Sequence, residues 1–592
     1  MKSLLSYILL TIILIVFSFV YYPKYQHGSS EATISWDVSG YYWYLPALFV
    51  YKDLKGLNFS DSLRNAYQST PENLQITDLP NGKKVMKYSS GMALQYAPLF
   101  LLAHSLARPL GYPPDGLSLP YQLSVHIGSL CMMLLGIWFL RKLLLDYFKD
   151  TTVAICLFFM LLGTNYLNYV AIDVGMSHAW LFSVYCMLMY ATNLFYRKVT
   201  FKLAAVIGFL SGLLILSRPS EMIAVLIPLL WGISSLRKEE WKMRIRFVMT
   251  HYSKYLLAIL CLTMMGCIQI FYWKYASGDW LVYSYGDQKF SWLHPHLITY
   301  VFGFRSGWLI YCPMMILAII GFPLLLKRKI NFVAILVFFL LNLWIVTAWD
   351  VYWYGGRAML QGSAVLVFPL CCLIEFTNQK RLAALLLFYP VALLFLYLNI
   401  WWTHGVHKGD FILSNDMSQA YYWKIAGNFQ PDPRDRKFLF LTEDFTGEET
   451  NIKILYSNDF ETDTTSSTPT ENSRQLFLKH FESESFTPAV SNEMVPRKWL
   501  RFSADIECLM NNWYYNSMSQ MGIRFWNNEK PVKIAYLLLD QLFYKERKQE
   551  IFIDIKIPRE QYTKVEVFFL NPKDALGSFF VDNLKVIAFD EK

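Results

Sequence analysis

Long apolar runs alternate with short polar connections through the first two-thirds of the chain. Beyond them the alternation tightens to every second residue. A bilayer crossing takes about 20 apolar residues, somewhat fewer where neighbouring helices pack. Runs of that kind fall at 4–22, 121–140, 153–172, 178–196, 202–217, 220–236, 254–274, 308–326, 331–348, 358–376 and 382–402, which predicts eleven membrane-spanning helices. A further apolar stretch, 91–108, breaks the alternation of sides if it crosses, so it is read as an interfacial or re-entrant helix. Near Phe429 the sequence turns polar and proline-rich, and 462–470 is a Ser/Thr/Pro loop. Period-two runs follow, among them Trp499-Leu500-Arg501-Phe502-Ser503-Ala504, Gly522-Ile523-Arg524-Phe525-Trp526, Ile551-Phe552-Ile553-Asp554-Ile555 and Lys564-Val565-Glu566-Val567-Phe568. Separated by turn residues, they predict an all-β sandwich. The expected fold is a polytopic α-helical membrane domain over 1–430 and a β-sandwich over 437–592.

Basic residues give the helices sidedness. Arg141-Lys142, Arg197-Lys198, Arg237-Lys238 with 242–246, Lys327-Arg328-Lys329 and Lys380-Arg381 come after every second run. By the positive-inside rule these loops are cytoplasmic. The N-terminus is then cytoplasmic, and 23–120, 173–177, 217–219, 275–307, 349–357 and the tail from about 403 are external. The first run follows a single Lys2 without a small-residue cleavage site, which reads as a retained signal anchor. The net charge of +9 lies at the ends of apolar runs, as membrane topology requires, so nucleic acid is not an expected partner. Eight of nine cysteines lie in or beside apolar runs, leaving Cys508 in the tail, so no disulfide framework is implied. This fits a bacterial inner membrane with a periplasmic C-terminal domain.

With that topology, the candidate chemistry collects on the external side. The first external loop carries Ser35-Trp36-Asp37-Val38-Ser39-Gly40-Tyr41-Tyr42-Trp43-Tyr44, and later Lys87-Tyr88-Ser89-Ser90-Gly91-Met92. Between the third and fourth runs stands Asp173-Val174-Gly175-Met176-Ser177-His178, where ionisable groups at a span end are costly unless paired. Arg218-Pro219 is the tip of an external hairpin, and a lone arginine there calls for an anion, whether a ligand phosphate or a lipid headgroup. The last external loop of the membrane domain reads Trp349-Asp350-Val351-Tyr352-Trp353-Tyr354-Gly355-Gly356-Arg357. Its aromatics suit an interfacial belt, and the paired glycines permit close backbone approach to a ligand beside a guanidinium. Loop 275–307 adds Asp279, Asp287, His294-Pro295-His296 and Arg305, a set long enough for a lid in which no residue stands out.

These motifs resemble those of the GT-C membrane glycosyltransferases, the class of protein O-mannosyltransferases and lipid A aminoarabinose transferases. In that class an Asp shortly after the first span, followed by aromatics on an interfacial helix, acts on the acceptor. Asp37 matches it, although it lies farther from its span. A hydroxyl attacking an anomeric carbon also needs a carboxylate to take its proton. As the alternative, Asp37 caps a helix starting at Val38. Lys87 resembles the lysine of the family's second external motif and would meet a donor phosphate as a point charge, or else snorkel to headgroups. Met176-Ser177-His178 resembles the short loop whose acid and histidine face the donor or a metal, unless Asp173 and His178 pair to cap the helix. Arg218-Pro219 and Gly355-Gly356-Arg357 likewise match family positions, with the arginine following the glycines at once here instead of after a spacer. The closing strand, 580–586, resembles the end of jelly-roll carbohydrate-binding modules.

The resemblance implies an inverting glycosyltransferase that moves a sugar from a polyprenyl-phosphate carrier to an external glycan, lipid or protein acceptor. Asp37 is the expected base, and Lys87, Arg218 and Arg357 the donor-phosphate ligands. Tyr41, Tyr42, Asp173, His178, Asp350 and Tyr354 are expected to shape the donor and acceptor pocket. No cofactor is specified: a divalent metal is possible, but two candidate ligands do not define its site. A transporter of lipid-linked glycans, or a non-catalytic assembly protein, is the alternative. The transporter would want ionisable residues near mid-span.

Overall fold

A computed structural model describes the chain apart from residues 71–74, 236, 306, 350–353, 381, 414–415, 442–444, 446, 462–466, 470–473, 479–482, 487–497, 511–517, 544–547 and 573–577. For 354, 383, 467–469, 474, 483–486 and 510 it describes the backbone alone. The chain divides into two compact units, Met1–Asp410 and Phe411–Lys592.

The first unit is helical, and each of the eleven apolar runs contains a helix or a group of short helices, the run 220–236 only as far as Leu230. Among the described residues, four helices are long and apolar enough to cross a membrane: Lys2–Gln26, Leu119–Leu145, Tyr252–Ser277 and Ala384–Val406. A fifth crossing is counted if Gly355–Val365 and Val367–Asn378, which meet at 72°, form one broken span. Other runs are shorter or interrupted. The run 308–326 divides into Trp308–Tyr311, Met314–Ile320 and Phe322–Arg328, because Pro313 and Pro323 lack the N–H that a continuous helix needs. The run 153–172 divides into Asp150–Leu162 and Tyr166–Ala171. The stretch 91–108 is the helix Gly91–Ala107, with Pro98 inside it.

The basic loops gather with one another. Asp150 accepts hydrogen bonds from the Met1 ammonium (3.1 Å) and the Lys2 amide (2.7 Å), a carboxylate at the positive end of the first helix. Arg141 donates to Ser3 at 2.9 Å, Arg197 pairs with Asp146, and Arg328 pairs with Glu375. Asn331 accepts from the Gly232 amide and donates to Tyr147, joining two more of these loops. The chain start and the loops around 141–150, 197, 232, 328–331 and 375 therefore share one end of the unit.

The second unit begins at Phe411, earlier than the change of composition implies, because 411–441 packs with the strands. Arg436 donates to the Gln541 carbonyl at 2.7 Å, Gln541 donates to Asp416 at 2.8 Å, and Leu441 enters the β core. The strands form two main antiparallel sheets. One has Trp499–Met510 between Lys548–Lys556 and Ser578–Glu591, with Ile551 opposite Ala504 and Ile553 opposite Phe502. The other has Lys564–Leu570 and Gln520–Asn527 at its centre, flanked by Ser483–Phe486 and Lys530–Leu538. Alternation turns Leu500, Phe502, Ala504 and Ile506 of the first sheet, and Ile523, Phe525, Val565 and Val567 of the second, into one shared core.

Candidate functional site

Asp37 lies in the first turn of the short helix Trp36–Tyr42. Its carboxylate does not cap that helix: Oδ1 accepts from the Tyr88 hydroxyl at 2.8 Å and Oδ2 from Arg357 Nη2 at 2.7 Å. Burial, reinforced by the negative Asp37, raises the Tyr88 phenol well above its ordinary pKa, so Tyr88 is a lasting donor to the acid. Asp37 keeps a quarter of its side-chain surface accessible, at 25%, which leaves room for a third partner.

Arg357 reaches Asp37 because the chain before it turns left-handed. Gly355 and Gly356 have φ of 69° and 59°, and a Cβ on Gly356 would stand 2.5 Å from Cβ of Trp308. Asn165 holds the turn by donating to the Gly355 carbonyl at 2.5 Å. Burial would lower the Arg357 pKa, but the adjacent Asp37 outweighs it and the net shift is upward.

Lys87 leaves the short hairpin of Ile76–Asp78 and Lys84–Met86, whose end is tied to loop 275–307: Ser284 donates to the Lys87 carbonyl at 2.6 Å, and Thr77 donates to the Ser284 carbonyl at 2.6 Å. Its ammonium lies 5.8 Å and 5.9 Å from the ring centres of Tyr88 and Tyr285, with no hydrogen-bonding partner among the described residues. Burial lowers its pKa, opposed only in part by Asp37. Tyr41, buried between these groups, feels Asp37, Arg218 and Arg357 together, and Tyr285 feels Arg218, Tyr41 and Asp37. The acid and the three cations therefore surround one set of tyrosines.

Arg218 follows the helix Phe201–Ser217 and points its Nη1 at two neutral groups, Ser177 Oγ and His178 Nε2, each at 3.4 Å. Among the described residues no carboxylate pairs with it. That sets it apart from Arg357. Ser177 in turn donates to the Tyr41 hydroxyl at 3.1 Å.

The remaining candidates are distributed differently. Asp173 is not paired with His178. It takes the Lys24 ammonium, accepts from Asn168 at 3.2 Å and lies 3.8 Å from His407. Burial alone would raise the Asp173 pKa, but Lys24 and His407 outweigh it and hold the carboxyl well below the usual range. This second ionic cluster ties the end of the first helix to the residues after Val406. Tyr42 is fully buried and donates to the Gly116 carbonyl at 2.6 Å, away from the acid. Asp350 lies outside the described residues, as does the side chain of Tyr354. Loop 275–307 brings Tyr285 and Tyr300 to the site, Tyr300 feeling Arg357 and Arg218. Tyr88, Tyr285, Tyr300, Glu221 and Gln361 are the participants that sequence reasoning missed. Glu221 carried a signal, since a carboxylate inside an apolar run requires partners.

No group of three metal-ligating side chains stands together among the described residues. No protein-family model matches the chain, and no curated protein matches it.

Proposed function

We propose that this chain is an inverting membrane glycosyltransferase acting on a polyprenyl-phosphate sugar. One observation carries the reading. A partly accessible acid, Asp37, stands among tyrosines with Arg218, which forms no ion pair with a carboxylate among the described residues, and with the half-buried Lys87. An acid alone suits many sites. An acid beside cations that form no direct ion pair suits a displacement in which a proton is lost on one side and a phosphate leaves on the other.

In the proposed step the acceptor oxygen attacks the anomeric carbon and Asp37 takes its proton. The bond from that carbon to the phosphate oxygen breaks, and the phosphate departs with the electron pair. Arg218 and Lys87 meet its charge. Arg357 and Tyr88 hold Asp37 so that one lone pair faces the acceptor. The tyrosines, Tyr41 and Tyr285 among them, exclude water and flank the sugar.

The finer topology belongs to the same proposal: eleven crossings, a cytoplasmic N-terminus, and the site and β unit on the periplasmic side of a bacterial inner membrane. Its support is the gathering of the basic loops with Met1 on the one hand and of Asp37, Lys87, Arg218 and Arg357 on the other. In this reading the two-sheet unit is a jelly-roll-like module that recruits a glycan, lipid or protein acceptor. Purified full-length chain given polyprenyl-phosphate sugars and acceptor tests the reaction, with Asp37→Asn as the control. A wild-type chain that binds these donors but never transfers sugar refutes it.

A further inference from the structure

Behind Arg218 runs a chain of hydrogen bonds whose directions are fixed from its far end. The Glu221 carboxylate is buried and accepts from the Tyr185 hydroxyl at 2.6 Å and from Gln361 Nε2 at 3.1 Å. A carboxylate offers only acceptors, so Gln361 must turn its NH2 toward Glu221. Its Oε1 then faces His178 Nδ1, at 2.9 Å. An amide oxygen also only accepts, so Nδ1 carries the imidazole proton and Nε2 keeps a lone pair. That lone pair faces Arg218 Nη1, which can only donate. Every donor in the chain meets an acceptor, and reversing the Gln361 amide would break two of these bonds at once.

The alternative states of His178 conflict with its neighbours. The Nε2–H tautomer would oppose an N–H to the guanidinium, and an imidazolium would put two cations in contact in a buried place. His178, Ser177, Glu221 and Gln361 are all buried, so water does not readily substitute for a lost partner.

We propose that Glu221 and Gln361 are positioning residues: through the tautomer of His178 they hold the Arg218 guanidinium on a neutral acceptor, so that its position is fixed while its charge stays available to the donor phosphate. The inference rests on the transferase reading for the identity of the anion. It explains why two arginines at one site are held differently. Arg357 is set against the Asp37 carboxylate and organises the acid, whereas Arg218 is anchored by an imidazole and a hydroxyl and remains an anion ligand. None of these supporting residues touches the reacting atoms.

The test uses full-length protein in detergent, with farnesyl phosphate as the probe. Gln361→Met, similar in shape but without the amide, is expected to weaken probe binding about tenfold, as is usual for strongly coupled neighbours. In an Arg218→Ala background the same change is expected to cost less than twofold. His178→Gln, whose amide oxygen can stand in for Nε2, is expected to lose less affinity than Arg218→Ala. Nitrogen-15 NMR of labelled histidine, with His178→Gln identifying the signal, is expected to report Nδ1–H in the wild type and a shifted or mixed tautomer in Gln361→Met. Additive losses, an equal loss in His178→Gln and Arg218→Ala, or an Nε2–H ring in the wild type each overturn the proposal. Sugar transfer that is absent while probe binding and the tautomer behave as stated counts against the transferase reading and leaves this inference standing.

Discussion

Arg357 donates to the Asp37 carboxylate at 2.7 Å across 320 residues of chain, so an acid near the start of the helical unit is oriented by a loop near its end. Arg357→Gln removes the charge and, being shorter, withdraws the donor from Asp37. The expected result is a fall in kcat of ~10- to 100-fold, less than the ~10²–10⁴ expected for losing the base itself because Asp37 remains, with donor KM changed by less than about threefold. Arg218→Ala should do the reverse and raise donor KM more than it lowers kcat. Steady-state kinetics on both variants checks the division of labour.

Gly356→Ala should disturb the same pair through the backbone. It places a side chain at φ 59° and a Cβ 2.5 Å from Trp308 Cβ. A left-handed residue costs ~1–2 kcal/mol and overpacking ~1–3 kcal/mol, so thermal stability and transfer should both fall. Gly266→Ala, inside a helix with open space where the Cβ would go, is the control and should lower neither. The comparison is read from melting of the purified proteins.

Lys87 predicts an alkaline limb. Its pKa is lowered, chiefly by burial, so it loses its proton at a lower pH than a free lysine and donor affinity should fade as pH rises through that point. Lys87→Arg should move the limb upward, and Lys87→Gln should abolish it while weakening donor binding about tenfold or more. Binding of a polyprenyl phosphate measured across pH reads out all three proteins.

The residues that now define this site were unevenly visible in the sequence. Asp37, Lys87, Arg218 and Arg357 could be singled out because each is a charged group between apolar runs, and the positive-inside rule assigns all four connections to the same side. Their division of roles was not legible, since it depends on who neutralises whom. Asp173 and His178 are five positions apart yet belong to different clusters, because the chain turns at Gly175, φ 90°, between them. Glu221 was hidden inside an apolar run and Gln361 in a segment that hydropathy treats as filler. The helices were legible from hydropathy, but the number long enough to cross alone was not: window averages pass over Pro313 and Pro323, where the backbone breaks. The strands were legible from their alternation. The boundary at Asp410 was not, because 411–441 has loop-like composition and is recruited to the β unit by contacts distant in sequence.

His407 supplies a stability prediction at mildly acid pH. Burial, with Lys24 adding and Asp173 opposing, lowers its pKa to about 4, against an ordinary value near 6.5. Between those values the unfolded chain binds a proton that the folded chain does not, so stability should fall as pH drops through that window, by at most ~1.4 kcal/mol per pH unit. Asp173, held below the usual carboxylate range, loses its contribution only at lower pH, so the two effects separate. His407→Asn should flatten the slope of melting temperature between about pH 6.5 and 4; an unchanged slope would place the titrating group elsewhere.

The central claim is that Asp37 takes a proton from the acceptor while the cations beside it receive a departing phosphate. The most direct measurement is single-turnover transfer from a polyprenyl-phosphate sugar by full-length wild-type protein and by Asp37→Asn, which keeps the size of the side chain and one acceptor oxygen. The account predicts sugar transfer with inversion at the anomeric carbon in the wild type. In the variant it predicts a rate lower by ~10²–10⁴ with donor binding retained. Transfer by Asp37→Asn at the wild-type rate would contradict it.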